Sequence, residues 1–203
     1  MTQPLRRPFA LAAYALTAML LASYALVMWW TIHPTVPPNY RAYYIDQTTT
    51  CMNQPVPGTY TLGTIVSYLP DGANAAKPTK PCGWEGPTGD GTHAVGTSSR
   101  LRFAWSEPTT AALTLSLDMI AISKAGTPMP QSVDVVVNEQ KLATLKVGAD
   151  APNHFDVAIP AGLVTEGRAD VVLEFPDAVQ MGPTDPATRW RSIKLLAAGL
   201  LPA

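Results

Sequence analysis

The sequence predicts an all-β fold, a two-sheet, jelly-roll-like sandwich preceded by one N-terminal transmembrane helix. Three observations carry that expectation. An uncharged apolar run occupies residues 8–32, period-two alternation of apolar and polar residues dominates after residue 40, and 20 Pro with 14 Gly punctuate a chain of 203 residues. Alternation of that period places every second side chain on one face of a strand, while Pro and Gly mark the turns between short elements.

The apolar run, PFALAAYALTAMLLASYALVMWWTI, spans roughly 25 residues against the ~20 that a helix needs to cross a bilayer core. Arg6 and Arg7 precede it, and only His33 follows it before Arg41. The positive-inside rule then assigns residues 1–7 to the cytoplasm and the chain beyond the helix to the far side. Trp29 and Trp30 stand at the outer end, where indole rings favour the headgroup region, as membrane anchors. Pro34, Pro37 and Pro38 stop the helix and make 33–40 a stiff spacer. A cleaved signal peptide is the rival, with Ser23-Tyr24-Ala25 as its cleavage site, but the apolar run continues past that site and exceeds the ~7–15 residues of a signal core. An interfacial helix would need a polar face, and none is present. Ala10, Ala13, Ala18, Ala22 and Ser23 offer a small-residue surface for a second membrane helix, which Tyr14 and Tyr24 would also suit.

Residues 41–203 then form the outer domain, large enough at roughly 160 residues to bury a core of its own. RAYYIDQT (41–48) and TYTLGTIVSYL (59–69) are the first strand candidates. In SRLRFAW, Leu101, Phe103 and Trp105 share a face opposite Arg100 and Arg102. In ALTLSLDM, Leu113, Leu115, Leu117 and Met119 oppose Thr114, Ser116 and Asp118. Val133, Val135 and Val137 lead to a turn at Asn138-Glu139-Gln140, with Leu142 and Val147 on the return. HFDVAIP (154–160), DVVLEF (170–175) and RSIKLLA (191–197) complete about eight strands, the count and spacing of a sandwich. Between 70 and 92 the chain is rich in Gly and Pro without periodicity and reads as one long ordered loop.

Cys51 and Cys82 are the only cysteines. In a domain outside the membrane they read as one structural disulfide, closing about 31 residues and stabilising by roughly 3–4 kcal/mol in the chain-entropy model. A redox site would use a C-x-x-C pair, and a metal site needs more ligands.

Chemistry is sparse. Net charge is −1 and charged residues make up 14% of the chain, without a basic stripe, so nucleic acid is not an expected partner. His33, His93 and His154 have no mutual ligand spacing. The run Gly86-Pro87-Thr88-Gly89-Asp90-Gly91 is turn chemistry and not a phosphate cradle. Asp71, Asp90, Asp177 and Asp185 sit beside Gly or Pro without the D-x-D-x-D spacing of a calcium loop. No catalytic residue, metal site or cofactor is predicted, and the chain does not read as an enzyme. The ligand-binding candidates are Trp84 in the long loop, His93, and Trp190 with its neighbour Arg189. Exposed indole rings stack on sugar C–H groups while adjacent polar side chains fix hydroxyls.

Gly83-Trp84-Glu85-Gly86-Pro87, leading through Gly91-Thr92-His93-Ala94-Val95-Gly96 into the Leu101/Phe103 strand, resembles a W-x-x-P-E…G-x-W-x-x-G opening. Similar later features are Val135-Val136-Val137-Asn138-Glu139, Phe155 through Ile159-Pro160, and Asp185-Pro186 to Arg189. The pattern resembles β-sandwich (jelly-roll) accessory domains associated with bacterial cell-envelope glycosyltransferases and phosphoglycerol-transferase-like proteins. The chain departs from it at Thr92-His93-Ala94, where an aromatic is expected, and at Glu139, where glycine is usual. The resemblance implies a non-catalytic accessory protein of envelope polysaccharide or glycolipid synthesis. It would be single-pass in the bacterial inner membrane with its sandwich in the periplasm, binding glycan or a partner membrane enzyme. The alternative is a structural subunit of a respiratory, photosynthetic or transport complex with no small-molecule ligand.

Overall fold

The computed structural model describes residues 6–33, 35–36, 59–124, 126–164, 166–181 and 190–203. The chain divides into two compact units, Met1–Pro37 and Pro38–Ala203.

In the first unit a single helix, α1 (Arg6–Ile32), runs for 27 residues, about 40 Å at the α-helical rise. Its segment Phe9–Ile32 has a mean hydropathy of 1.9 and is long and apolar enough to cross a membrane. Its aliphatic hydroxyls are satisfied by the helix itself: Thr17 donates to the Ala13 carbonyl at 2.9 Å, Ser23 to Leu20 at 2.8 Å and Thr31 to Met28 at 2.8 Å, so these three require no water in an apolar setting. At the far end the Trp29 ring stacks on His33, with centroids 4.0 Å apart.

The second unit is a two-sheet antiparallel sandwich. Its strands are β1 (Ile65–Ser67), β2 (Trp84–Thr88), β3 (Gly91–Ala94), β4 (Ser98–Ala104), β5 (Leu113–Ala121), the short pair β6 (Ser123–Lys124) and β7 (Thr127–Pro128), β8 (Gln131–Val137), β9 (Gln140–Val147), β10 (Asn153–Ile159), β11 (Arg168–Glu174), β12 (Val179–Gln180), β13 (Trp190–Arg191) and β14 (Ile193–Pro202). One sheet has the order β10-β5-β14-β3-β2, with β1 added along the distal half of β14; the other is β4-β11-β8-β9. Chain crossings from β3 to β4, β4 to β5, β5 to β8, β9 to β10, β10 to β11 and β11 to β14 tie the two sheets together, as in a jelly roll.

Period-two patterning explains the core. Leu101 and Phe103 of β4, Leu113, Leu115, Leu117 and Met119 of β5, Val133, Val135 and Val137 of β8, Val171 and Leu173 of β11, and Ile193 and Leu195 of β14 are all buried. Each such aliphatic or aromatic side chain contributes on the order of 1.5–3 kcal/mol on burial. Their alternating neighbours, Arg100, Arg102, Val172 and Lys194 among them, are only partly covered and form the outer faces of the sheets.

Several elements differ from the sequence expectation. The stretch 59–69 yields only β1, because Leu62-Gly63 turns and Gly63 takes φ +90°. The presumed loop 70–92 contains a helical turn (Ala73–Ala76) and the hairpin β2–β3, an edge hairpin whose Gly and Pro conceal any alternation. Gly83 is needed there: at φ +81° a Cβ would lie 2.6 Å from the Ser99 Cα, so the approach of Cys82 to Arg100 excludes a side chain. The β8–β9 turn is two residues, Asn138-Glu139, both at positive φ, and Gln140 already pairs with Val137. The final strand continues to Pro202. The strand expected at 41–48 and Cys51 lie outside the described residues. Cys82 is not a free thiol.

Candidate functional site

Two polar surfaces stand out, one on each sheet. The first is a corner of the larger sheet where β2, β3 and β14 meet. Register places Glu85 beside His93 and His93 beside Lys194, so these three side chains share one face. Thr88 and Gly91 close the hairpin between them, and Asp90 at its tip reaches back to His93 Nε2 at 3.5 Å and to the Lys194 ammonium. Arg191 pairs with Glu85. Lys194 and Thr88, both hydrogen-bonded to Asp90, hold its carboxyl well below the usual carboxylate range. Burial pushes the His93 imidazole down, and the Asp90 charge opposes that shift.

Trp84 and His93, both expected from sequence, lie on paired strands but do not share a face, since Trp84 pairs with Ala94 and His93 with Glu85. Trp84 is half-buried against the core, and its indole Nε1 donates to the Arg100 carbonyl at 2.7 Å, clamping the edge hairpin to β4. Trp190 is half-buried on β13, and its carbonyl accepts from the Gly96 amide at 3.1 Å, which brings it to the same corner. Arg189 lies outside the described residues.

The second surface is a groove of about 720 Å³ across the outer face of β4, β11 and β8. Arg100 stands opposite Val172, which in turn stands opposite Val136, so an apolar floor adjoins a guanidinium. One step along, Arg102 faces Asp170 and binds it at 2.6 Å, and Arg168 holds the other carboxylate oxygen at 2.9 Å. Asn138 closes one end of the groove. Its amide donates to the Leu163 carbonyl at 3.0 Å, and its Oδ1 accepts from the Asp170 backbone amide at 3.0 Å. Arg100 differs from the other two arginines: its Nε is buried without a hydrogen-bond partner, and among the described residues no carboxylate is in ion-pair range of it. The sequence had already set Arg100 and Arg102 opposite the core face, but the register that joins them to Asp170 and the valine floor arises between strands ~70 residues apart, which periodicity does not report.

Among the described residues no cluster of His, Cys, Asp or Glu could hold a metal ion. Both surfaces offer fixed hydrogen-bonding groups over covered carbon, an arrangement for binding.

No protein-family model matches the chain, and no curated protein matches it. Solved structures similar to it include the CBM36-1 domain of a multidomain xylanase from the hindgut metagenome of Trinervitermes trinervoides, at 16% identity, covering 67% of this chain and 95% of that one, with a TM-score of 0.39. A carbohydrate-binding module CBM36 in complex with calcium and xylotriose is 14% identical, covers 68% and 98%, and scores 0.36. CsCBM6-3 from Clostridium stercorarium in complex with cellobiose is 13% identical, covers 73% and 100%, and scores 0.40. These are β-sandwich likenesses of low score, and no ligand passes from them to this chain.

Proposed function

We propose that this chain is a membrane-anchored, non-catalytic glycan-binding protein of the bacterial cell envelope, working beside a membrane enzyme of polysaccharide or glycolipid synthesis. The observation that carries the reading is the groove on the four-stranded sheet. There the Arg100 guanidinium, with no carboxylate in ion-pair range among the described residues, adjoins a Val136–Val172 floor and an Arg102–Asp170–Arg168 triad. Planar donors and acceptors fixed around an apolar strip suit a sugar ring, which presents C–H faces and equatorial hydroxyls together. His93 and Trp190, with Arg189, are proposed as contacts of a separate surface at the corner of the larger sheet, apart from the groove, and Trp84 supports that corner from β2.

The apolarity of α1 and the position of Arg6 and Arg7 before it support an N-terminus in the cytoplasm and a periplasmic sandwich. A Cys51–Cys82 bridge belongs to the same proposal, because such a bridge persists in that oxidising compartment.

The test is a titration of the full chain in detergent against oligosaccharides released from bacterial envelopes. Arg100→Ala removes charge-assisted hydrogen bonds of about 1.5–3 kcal/mol, so affinity is expected to fall about 10- to 150-fold while the fold is retained. Equal affinity of wild type and Arg100→Ala, or no heat with any envelope glycan, sinks the reading.

A further inference from the structure

The hydroxyl side chains of α1 are not spread evenly around it. Thr17, Tyr24 and Thr31 follow one another at seven-residue spacing. Seven residues fall within about 20° of two full turns, so the three line a single seam. Tyr14 and Ser23, the other hydroxyls of the helix, flank that seam within about 100° on either side. Ala18 and Ala22 lie away from it, at least about 120° round the helix from Tyr24. A concavity of about 490 Å³ runs along the seam, lined by Thr17, Leu20, Leu21, Ser23, Tyr24 and Val27.

Depth separates the two tyrosines. Tyr24 stands about 5 Å from the midpoint of Phe9–Ile32, on the outer side, at the α-helical rise. That is about 10 Å inside the edge of a ~30 Å hydrocarbon core. Helical side chains lean toward the N-terminus, so its ring leans further toward the midpoint. Tyr14 stands about 10 Å on the inner side, and the same lean carries its hydroxyl toward the inner headgroups. Thr17, Ser23 and Thr31 donate within their own helix. Tyr24 does not: among the described residues its hydroxyl has no hydrogen-bond partner. Lipid tails supply none, so an acceptor at that depth has to come from another membrane helix.

A second copy of α1 supplies one. Copies of one chain insert with the same topology and pair in parallel, and a two-fold axis between them sets like residues opposite each other at equal depth. A phenol hydroxyl both donates and accepts, so Tyr24 satisfies Tyr24. Seven-residue spacing keeps the same seam facing its partner along the helix, in a left-handed crossing. We propose that the Thr17–Tyr24–Thr31 face of α1 docks a second copy of this chain as a parallel pair in the membrane, with the two Tyr24 hydroxyls bonded to each other. The proposal rests on the membrane-spanning reading of α1 and is independent of the glycan reading.

The test uses the full chain, labelled at its N-terminus with a donor or an acceptor dye, in phosphatidylethanolamine–phosphatidylglycerol vesicles. Energy transfer is followed as lipid dilutes the protein, and oriented circular dichroism of the same vesicles reports whether α1 crosses the bilayer. Transfer is expected to fall with dilution as a monomer–dimer equilibrium. Tyr24→Phe should raise the dissociation constant about 3- to 30-fold, while Ala18→Leu and Ala22→Leu leave it within twofold. A dimer indifferent to Tyr24→Phe, or more sensitive at Ala18 and Ala22, overturns the proposed face. A spanning but monomeric chain overturns the pair alone, whereas a helix that does not span overturns the pair and the anchor together. A benzophenone side chain in place of Leu20, photolysed in bacterial inner membranes, checks the occupant. A product of twice the chain mass supports the second copy, and a product with another protein and none with itself overturns it.

Discussion

The corner of the larger sheet and the groove of the smaller one carry the same residue types, yet they use them differently. At the corner the carboxylates are engaged within the fold: Asp90 serves Lys194, His93 and the Thr88 hydroxyl, and Glu85 serves Arg191. In the groove, three arginines line a surface on which Asp170 engages only two, and Arg100 is left over. A charged group that already has partners must break them to meet a ligand, so its net gain is small. One without an ion-pair partner gives up only water, so more of the interaction remains as net gain. The inventory of polar residues therefore says less about binding than the pairing does.

Trp84 gives the largest test of that contrast, because it belongs to the corner by position and reaches the groove strand through its bond to the Arg100 carbonyl. Trp84→Phe keeps the ring against the core and leaves that carbonyl without its donor, at a cost of about 1 kcal/mol. Chemical denaturation should show that loss, while glycan affinity stays within twofold of wild type. A fall in affinity without a fall in stability would return Trp84 to the ligand surface that its sequence position suggested.

How much was legible beforehand follows from which features are local. Leu113, Leu115, Leu117 and Met119 declare their buried face by spacing alone, and so do Val133, Val135 and Val137. The apolar helix is likewise local. The β2–β3 hairpin was not legible, since an edge hairpin built on Gly86, Pro87 and Gly89 lacks the alternation that marks buried strands. Trp84 and His93 were found as residues but not as opposite faces, because their orientation depends on hairpin register. Arg100 was seen as an outward residue. That no carboxylate among the described residues pairs it is a property of the folded neighbourhood, where Val172 and Val136 stand in its cross-strand row.

The turn at Asn138-Glu139 supplies the second test, at the groove's end. Asn138 at φ +45° suits the left-handed region and is clamped to β11, but Glu139 at φ +69° holds a long side chain where glycine is favoured. Glu139→Gly relieves about 1–2 kcal/mol of backbone cost and adds back about 0.5–1 kcal/mol of unfolded-state entropy. A net gain of about 0.5 kcal/mol should appear as a higher denaturation midpoint. Since Glu139 also lines the groove, its removal leaves Arg100 with one fewer carboxylate in its surroundings. Affinity for a tetragalacturonate should rise if the groove reads charge, and a destabilised Glu139→Gly would mean that the side chain has a structural task there.

The smallest effect lies in the pH dependence of the corner. Asp90 is depressed in the folded state by Lys194 and Thr88, so its contribution is fully present above the unfolded carboxyl value of 3.8 and is lost as pH falls toward the folded one. His93, lowered by burial, acts in the same sense at higher pH: it favours the fold above its ordinary 6.5 and opposes it once protonation begins. His154 acts oppositely. Hydrogen bonding to Asp118, at 2.7 Å from Nδ1, and then to Asp156 raises it, so its contribution is present below 6.5 and fades as pH rises through the folded value. Asp90 is mostly solvent-exposed, which screens its ion pair and limits the effect to a few tenths of a kcal/mol. Asp90→Asn should therefore be slightly less stable than wild type at pH 7, with the gap closing below pH 4. Glycan affinity should not follow that gap if binding belongs to the groove. A parallel loss of affinity would place the ligand on Asp90, Lys194 and His93, and the paired corner would then be the site.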